Sequence, residues 1–149
     1  MARLPEGDPA PQDGALPTSA LAGLSGHPFG IYIHVPFCST RCGYCDFNTY
    51  VPGEDGSAQS GFMEAAIAEL DLAQRVLGDE APTVDTVFIG GGTPTILPAE
   101  DLAALFDAVR ERFGLSEGVE VTTEANPESV DPAKFAALRE AGFTRVSLG

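Results

Sequence analysis

The sequence predicts an α/β fold built on parallel strands, and three observations carry that prediction. Short β-branched and aromatic runs alternate with longer amphipathic runs along the chain. At least one short run is apolar without interruption, as in a parallel strand buried on both faces. The connections are short enough for consecutive βαβ units.

The first strand is Gly30-Ile31-Tyr32-Ile33-His34-Val35-Pro36, where Pro36 ends the run. Residues 60–78 form a helix. Phe62, Ala66, Leu70, Ala73 and Leu77 make its apolar stripe, Glu64, Glu69, Asp71 and Arg75 its wet side, and Gly78 its C-terminal stop. The second strand, Val84-Asp85-Thr86-Val87-Phe88-Ile89, runs into Gly90-Gly91-Gly92. Pro98-Ala99-Glu100-Asp101 opens the next helix with proline and acids in the first turn. Leu102, Leu105, Phe106, Val109 and Phe113 fill its stripe, and Gly114 stops it. Val119-Glu120-Val121-Thr122-Thr123-Glu124 is the third strand. Asp131-Pro132 caps the last helix, with Phe135 and Leu138 facing inward and Gly142 at its end. A fourth strand begins at Arg145.

The order β-α-β-α-β-α-β amounts to three and a half units of a (β/α) barrel or doubly wound sheet. A full barrel takes about 250 residues, and this chain has 149. The expectation is the front half of a full or partial barrel at residues 29–149. The strand-like run at Arg145-Val146-Ser147-Leu148-Gly149 suggests a fragment of a longer protein. Residues 1–28 hold five of the 12 prolines and four of the 17 glycines and read as a disordered, solvated leader. That leader lacks a secretory pattern, so a cytoplasmic location is expected.

The net charge of −14 argues against nucleic acid or anionic membrane as the main partner. No apolar run approaches the roughly 20 residues of a membrane helix. Cysteine use is more specific. The chain has 3 cysteines, Cys38, Cys42 and Cys45, spaced C-x3-C-x2-C on the loop after the first strand. An odd, clustered set excludes a disulfide framework and points to metal or redox chemistry in a reducing compartment. Three thiolates on one loop suit three corners of a cubic iron–sulfur cluster and leave one iron open to a small ligand. Gly43 is expected to let the loop wrap. The competing readings are a zinc site with His34 or His27 as fourth ligand, which would make the chain a zinc-stapled nucleotide-binding module, and inert thiols. The missing second cysteine pair favours the cluster.

Two further features follow strand ends. Gly90-Gly91-Gly92-Thr93-Pro94 offers bare backbone to a ligand, or simply makes a tight strand-to-helix turn. It matches neither a Walker A loop nor G-x-G-x-x-G. Glu124-Ala125-Asn126-Pro127 places a carboxylate at the carboxyl end of the third strand, fit for an ammonium group or ribose hydroxyls, or merely solvated. Tyr32 and His34 share one face of the first strand, where His34 is equally well a packed core histidine. All three features fall on the carboxyl rim where parallel α/β folds bind ligands.

Cys38-x3-Cys42-x-Tyr44-Cys45 resembles the signature of the radical S-adenosylmethionine (SAM) superfamily, and Gly91-Gly92-Thr93-Pro94 resembles its methionine-binding loop. Tyr32-Ile33-His34-Val35-Pro36-Phe37-Cys38 and Thr123-Glu124-Ala125-Asn126-Pro127 are similar to the branch holding haem chaperones and oxygen-independent coproporphyrinogen III oxidases, which are dehydrogenases. The resemblance covers residues 30–149. It implies the N-terminal half of a radical-SAM partial barrel. It implies a [4Fe–4S] cluster on Cys38, Cys42 and Cys45, with SAM against Tyr32, Tyr44, Gly91, Gly92, Thr93 and Glu124. It also implies an electron donor, haem as cargo and a haem-acceptor protein. The dehydrogenase pattern carries a fourth cysteine two residues after the third. Phe47 stands there in this chain, which is the chaperone's form and speaks against coproporphyrinogen dehydrogenase activity.

Overall fold

The computed structural model describes residues 11–24, 26–51, 59 and 61–149. Residues 1–10 and 25 of the expected leader, and residue 60 at the expected helix start, lie outside the described residues. The elements in chain order are α1 (Thr18–Ala22), β1 (Gly30–Val35), α2 (Phe62–Leu77), β2 (Val84–Gly91), α3 (Ala99–Phe113), β3 (Leu115–Ala125), α4 (Pro132–Ala141) and β4 (Arg145–Leu148). Short 3-10 turns at Pro94–Ile96 and Pro127–Ser129 follow β2 and β3. Within the stretch expected to be a leader, α1 is a single turn with no buried residue.

The four strands pair in the order β1-β2-β3-β4, every pair parallel. Successive side chains alternate faces, so the register sorts the sheet into two sets. Ile33, Ile89 and Thr123 align across one face, as do Ile31, Val87 and Val121. Against them packs the helical layer, with Leu102, Leu105, Val109 and Leu138 at 0–1% exposure. Each such side chain contributes about 1.5–3 kcal/mol on burial. The opposite face carries the rows Tyr32–Phe88–Thr122–Arg145 and His34–Gly90 beside Glu124–Ser147. Polar and aromatic side chains dominate it, and Tyr32 is more than half exposed.

The caps behave as their chemistry requires. Asp131 Oδ1 accepts the Lys134 backbone N–H at 2.7 Å. Gly142 takes φ +104° at the end of α4. Two expectations need correction. Phe135 stands 37% exposed at the border of the α4 stripe, and Phe143, just past the helix, fills the core instead, its ring 5.9 Å from Phe106. The third strand starts at Leu115, not Val119. Its register shifts between Val84 and Thr86, with Gly118 at φ +76°, and this irregular start hides behind turn-forming residues.

Asp85 ties the start of β2 to the start of β1. Its Oδ2 accepts the Phe29 N–H at 2.8 Å, and its own N–H donates to the Phe29 carbonyl at 2.8 Å. The first bond, helped by Ser116, holds the Asp85 carboxyl below its ordinary value. A depressed carboxyl adds stability above its ordinary pKa and loses it as pH falls through the lowered one. Asp85→Asn is therefore expected to flatten part of the acid-side loss. Urea unfolding of both proteins between pH 6 and pH 3 checks this, and parallel curves would refute it.

Candidate functional site

The carboxyl rim of the sheet is built around the loop that follows β1. Backbone bonds fasten its two ends: Cys38 N–H donates to the Tyr50 carbonyl at 2.9 Å, and Tyr50 N–H to the Pro36 carbonyl at 2.7 Å. Thr93 N–H donates to the Phe37 carbonyl at 2.7 Å, and Gly92 N–H to the Val35 carbonyl at 2.8 Å. The glycine loop and the cysteine loop are thus laced together. Within the cysteine loop, Cys45 N–H closes a turn on the Cys42 carbonyl at 3.0 Å.

This lacing explains the three glycines. A Cβ on Gly90 would lie 2.5 Å from the Phe88 ring and 2.8 Å from Glu124 Oε2. One on Gly91 would lie 2.7 Å from the His34 ring, at a φ of +121° that side chains avoid. One on Gly92 would strike the Phe37 carbonyl oxygen and come within 2.9 Å of Cys38 Sγ. The protein's own chain requires bare backbone here. Gly43, by contrast, has open space around it and no positive φ, so wrapping of the loop does not depend on it.

Cys38, Cys42, Tyr44, Cys45, Gly91, Gly92, Thr93 and Glu124 all line one cavity of about 380 Å³. Phe47 and Asn126 line it as well. Glu124 Oε2 accepts the Gly91 N–H at 2.9 Å, and its other oxygen has no protein partner among the described residues. Tyr44 is 91% exposed and Phe47 63%. The cysteines are free thiols, Cys42 exposed at the loop's tip and the other two half-buried. Among the described residues, no three His, Cys, Asp or Glu side chains converge at metal-holding distance.

Tyr32 does not line this cavity. Its hydroxyl is 2.7 Å from His34 Nδ1, and its ring stacks on Phe88 at 6.0 Å. Burial first, then the nearby Glu124 charge, pushes the phenol above its ordinary pKa. His34 Nε2 then donates to the Asn48 carbonyl at 3.0 Å. Both ring nitrogens are engaged, which makes His34 a brace between β1 and the end of the cysteine loop. It has no lone pair left for a metal. His27 precedes β1 while Cys38 follows it, and a strand of 6 residues separates them by roughly 20 Å. Neither histidine lines the cavity that gathers the three thiols, whose other possible donors are the carboxylates of Asp46, Glu124 and Glu128.

The brace role of His34 was not legible in the sequence, nor were the hydrogen bond from Gly91 to Glu124 and the place of Asn126. The first depends on how the cysteine loop folds back on β1, and the others on how β3 lies beside β2.

A family model described as the radical SAM superfamily matches residues 32–149. A protein of Mycobacterium tuberculosis (strain ATCC 25618 / H37Rv) named "Heme chaperone HemW" is 57% identical over 130 residues, covering 87% of this chain and 33% of that one. An "Oxygen-independent coproporphyrinogen III oxidase" of Paracoccus denitrificans is 38% identical over 127 residues, covering 84% of this chain and 27% of that one. Among solved structures, the radical SAM enzyme coproporphyrinogen III oxidase (HemN) from Escherichia coli superimposes with a TM-score of 0.75 at 26% identity, over 89% of this chain and 31% of that one. The chain therefore spans about a third of the length of the relatives it matches.

Proposed function

The chain belongs to the radical SAM superfamily, and on that premise we propose that it is the cofactor-binding part of a haem chaperone. Cys38, Cys42 and Cys45 would hold a [4Fe–4S] cluster, and SAM would bind beside it. The observation that carries this reading is the single cavity. It gathers three thiols, a bare-backbone loop and a carboxylate with one free oxygen, and it offers no fourth thiol or imidazole. That donor set suits a cluster with one iron left open to a ligand. When bound, the pair supplies one-electron reductive cleavage of the sulfonium.

The chain's own residues bind and orient. Glu124 spends one oxygen on Gly91 and offers the other to the amino group or ribose of SAM. Tyr44 presents an unpacked ring at the cavity mouth for the adenine. Gly91, Gly92 and Thr93 keep the wall free of side-chain bulk. Tyr32 acts at one remove, through His34. Haem is the proposed cargo, passed to an acceptor protein, with a separate electron donor. No helix among the described residues is long and apolar enough to cross a membrane. Free thiols and this chemistry suit the cytoplasm.

A coproporphyrinogen oxidase is the second reading, favoured by the Paracoccus and Escherichia coli likenesses. Phe47 supports the first reading, because it lines the same cavity and stands where that activity's pattern has a fourth cysteine. The intact protein, reconstituted without air, is expected to bind haem with a Soret shift and to leave coproporphyrinogen III unconverted when given SAM and reductant. Robust turnover would overturn the chaperone reading.

A further inference from the structure

Lys134 is the chain's single lysine, and it stands where helix electrostatics disfavour it. Asp131 caps α4 and Pro132 begins it, which puts a cation in the first turn, against the positive end of the helix dipole. The compensation is geometric. Its ammonium donates to the carbonyls of Thr95 at 2.5 Å, Leu97 at 3.0 Å and Ser129 at 3.4 Å. An ammonium has three donors, and all three are used.

The carbonyls belong to two different turns. Thr95 and Leu97 lie in and after the 3-10 turn that leaves the glycine loop, and Ser129 closes the one that leaves β3. Thr95, 1% exposed, pairs its hydroxyl with that of Ser129 at 2.6 Å. The Ser129 hydroxyl also donates to the Asn126 carbonyl at 2.7 Å. Two residues upstream of Thr95 is Thr93, and two upstream of Asn126 is Glu124. The staple fastens together the two turns that immediately follow the two halves of the cavity wall.

We propose that Lys134 is a positioning residue for the SAM site: it touches no ligand, but its three carbonyl bonds set the separation between the glycine loop and Glu124. The proposal rests on the SAM-binding reading above. The walls are also joined by the β2–β3 ladder up to Ile89 and Thr123 and by the Thr95–Ser129 hydroxyl pair, while the Gly91 to Glu124 hydrogen bond engages an oxygen of the group being positioned. A point charge with rotatable donors suits three converging carbonyls, whereas the planar fork of an arginine does not.

The test uses the intact, cluster-reconstituted protein. Lys134→Met keeps the methylene stem and removes the donors. Lys134→Arg keeps the charge without the geometry. Leu138→Ala, on the same helix, removes a core side chain that is 1% exposed and leaves the staple in place. SAM affinity is read by calorimetry at a temperature where every variant is folded, with iron content and thermal unfolding measured alongside. Amide exchange of the ligand-free proteins is followed at residues 91–97 and 124–129.

Both Lys134 variants are expected to bind SAM about tenfold or more weakly, the usual scale for a lost supporting contact. Their iron should be retained, and exchange should quicken in both turns together. Leu138→Ala should lower the melting temperature while SAM affinity stays within about twofold of wild type. Unchanged SAM affinity in Lys134→Met overturns the proposal. So does an equal affinity loss in Leu138→Ala, which would reduce the staple to general stability. A wild-type protein that takes up no SAM overturns the site reading itself, a result separable from the others because exchange at the two turns still reports the staple.

Discussion

Replacing any one of Cys38, Cys42 or Cys45 by Ala is expected to abolish retention of iron and sulfide while leaving the fold in place. The two outcomes separate because different atoms carry them. The loop is held by backbone bonds, from Cys38 to Tyr50, Tyr50 to Pro36 and Thr93 to Phe37, and none needs a thiol. Cys42 is exposed and the other two are half-buried, so truncation removes little core. The chain has no other thiol, and both nitrogens of His34 are hydrogen-bonded within the protein. Two protein corners hold a cubane poorly. Wild type should therefore carry about four irons per chain after anaerobic reconstitution, and each variant should fall to background. Ser39→Ala, a hydroxyl lost from the same loop, should load as wild type. Melting temperatures of the apo proteins should agree closely. Stoichiometric zinc without sulfide in the wild type would sink the cluster assignment, and full iron retention in a cysteine variant would sink the ligand assignment.

The second large effect is expected at Gly92. An added methyl there meets the Phe37 carbonyl and Cys38 Sγ, and backbone cannot step aside as a flexible side chain can. The glycine loop would have to lift, stretching the Gly92 to Val35 and Thr93 to Phe37 hydrogen bonds at once. Overpacking costs about 1–3 kcal/mol, and each backbone bond lost adds about 1 kcal/mol. Gly92→Ala should accordingly lower stability by several degrees or more in a thermal melt. It should also displace Cys38 and weaken cluster and SAM binding together. Gly43→Ala is the matched control, because nothing lies near its Cβ position. A Gly92→Ala protein with wild-type melting and loading would show that the two loops are not laced as described.

How much of this was legible in the sequence depends on the range of the interactions. Apolar spacing from Leu102 to Phe113 and the caps at Asp131, Gly114 and Gly142 are local, and they reappear in the fold. The rim position of the cysteines, the glycine loop and Glu124 followed from strand polarity alone. Phe135 was misplaced because a helical stripe has a border that spacing cannot mark, and Phe143 competes for the same space. The early start of β3 was masked by Gly118 and its turn-forming neighbours. Tyr32 was grouped with the ligand wall; its hydroxyl lies against His34, with the Glu124 charge nearby. The bond from His34 to Asn48 depends on how the cysteine loop folds back on β1, which a sequence alone does not state. The reason for the glycines was also hidden. Closeness to a ligand was one reading of them, but closeness to Phe37 and His34 is what requires them.

The strand order β1-β2-β3-β4 has a consequence for synthesis. Each strand pairs with the one made just before it, so no strand is inserted between partners already joined. The sheet grows at one edge as the chain leaves the ribosome, at about 5–20 residues per second. The cysteine loop can close on itself through Cys38, Tyr50 and Pro36, but it cannot be joined to the glycine loop until Gly92 and Thr93 arrive to bond Val35 and Phe37. Glu124 reaches Gly91 only after β3 has been made, and Lys134 locks the two turns last. The thiols therefore spend the early seconds of the protein's life on a loop not yet joined to the second strand. Loading of the proposed cluster before residue 93 has emerged would meet a loop without its wall, so productive loading would follow completion of β2.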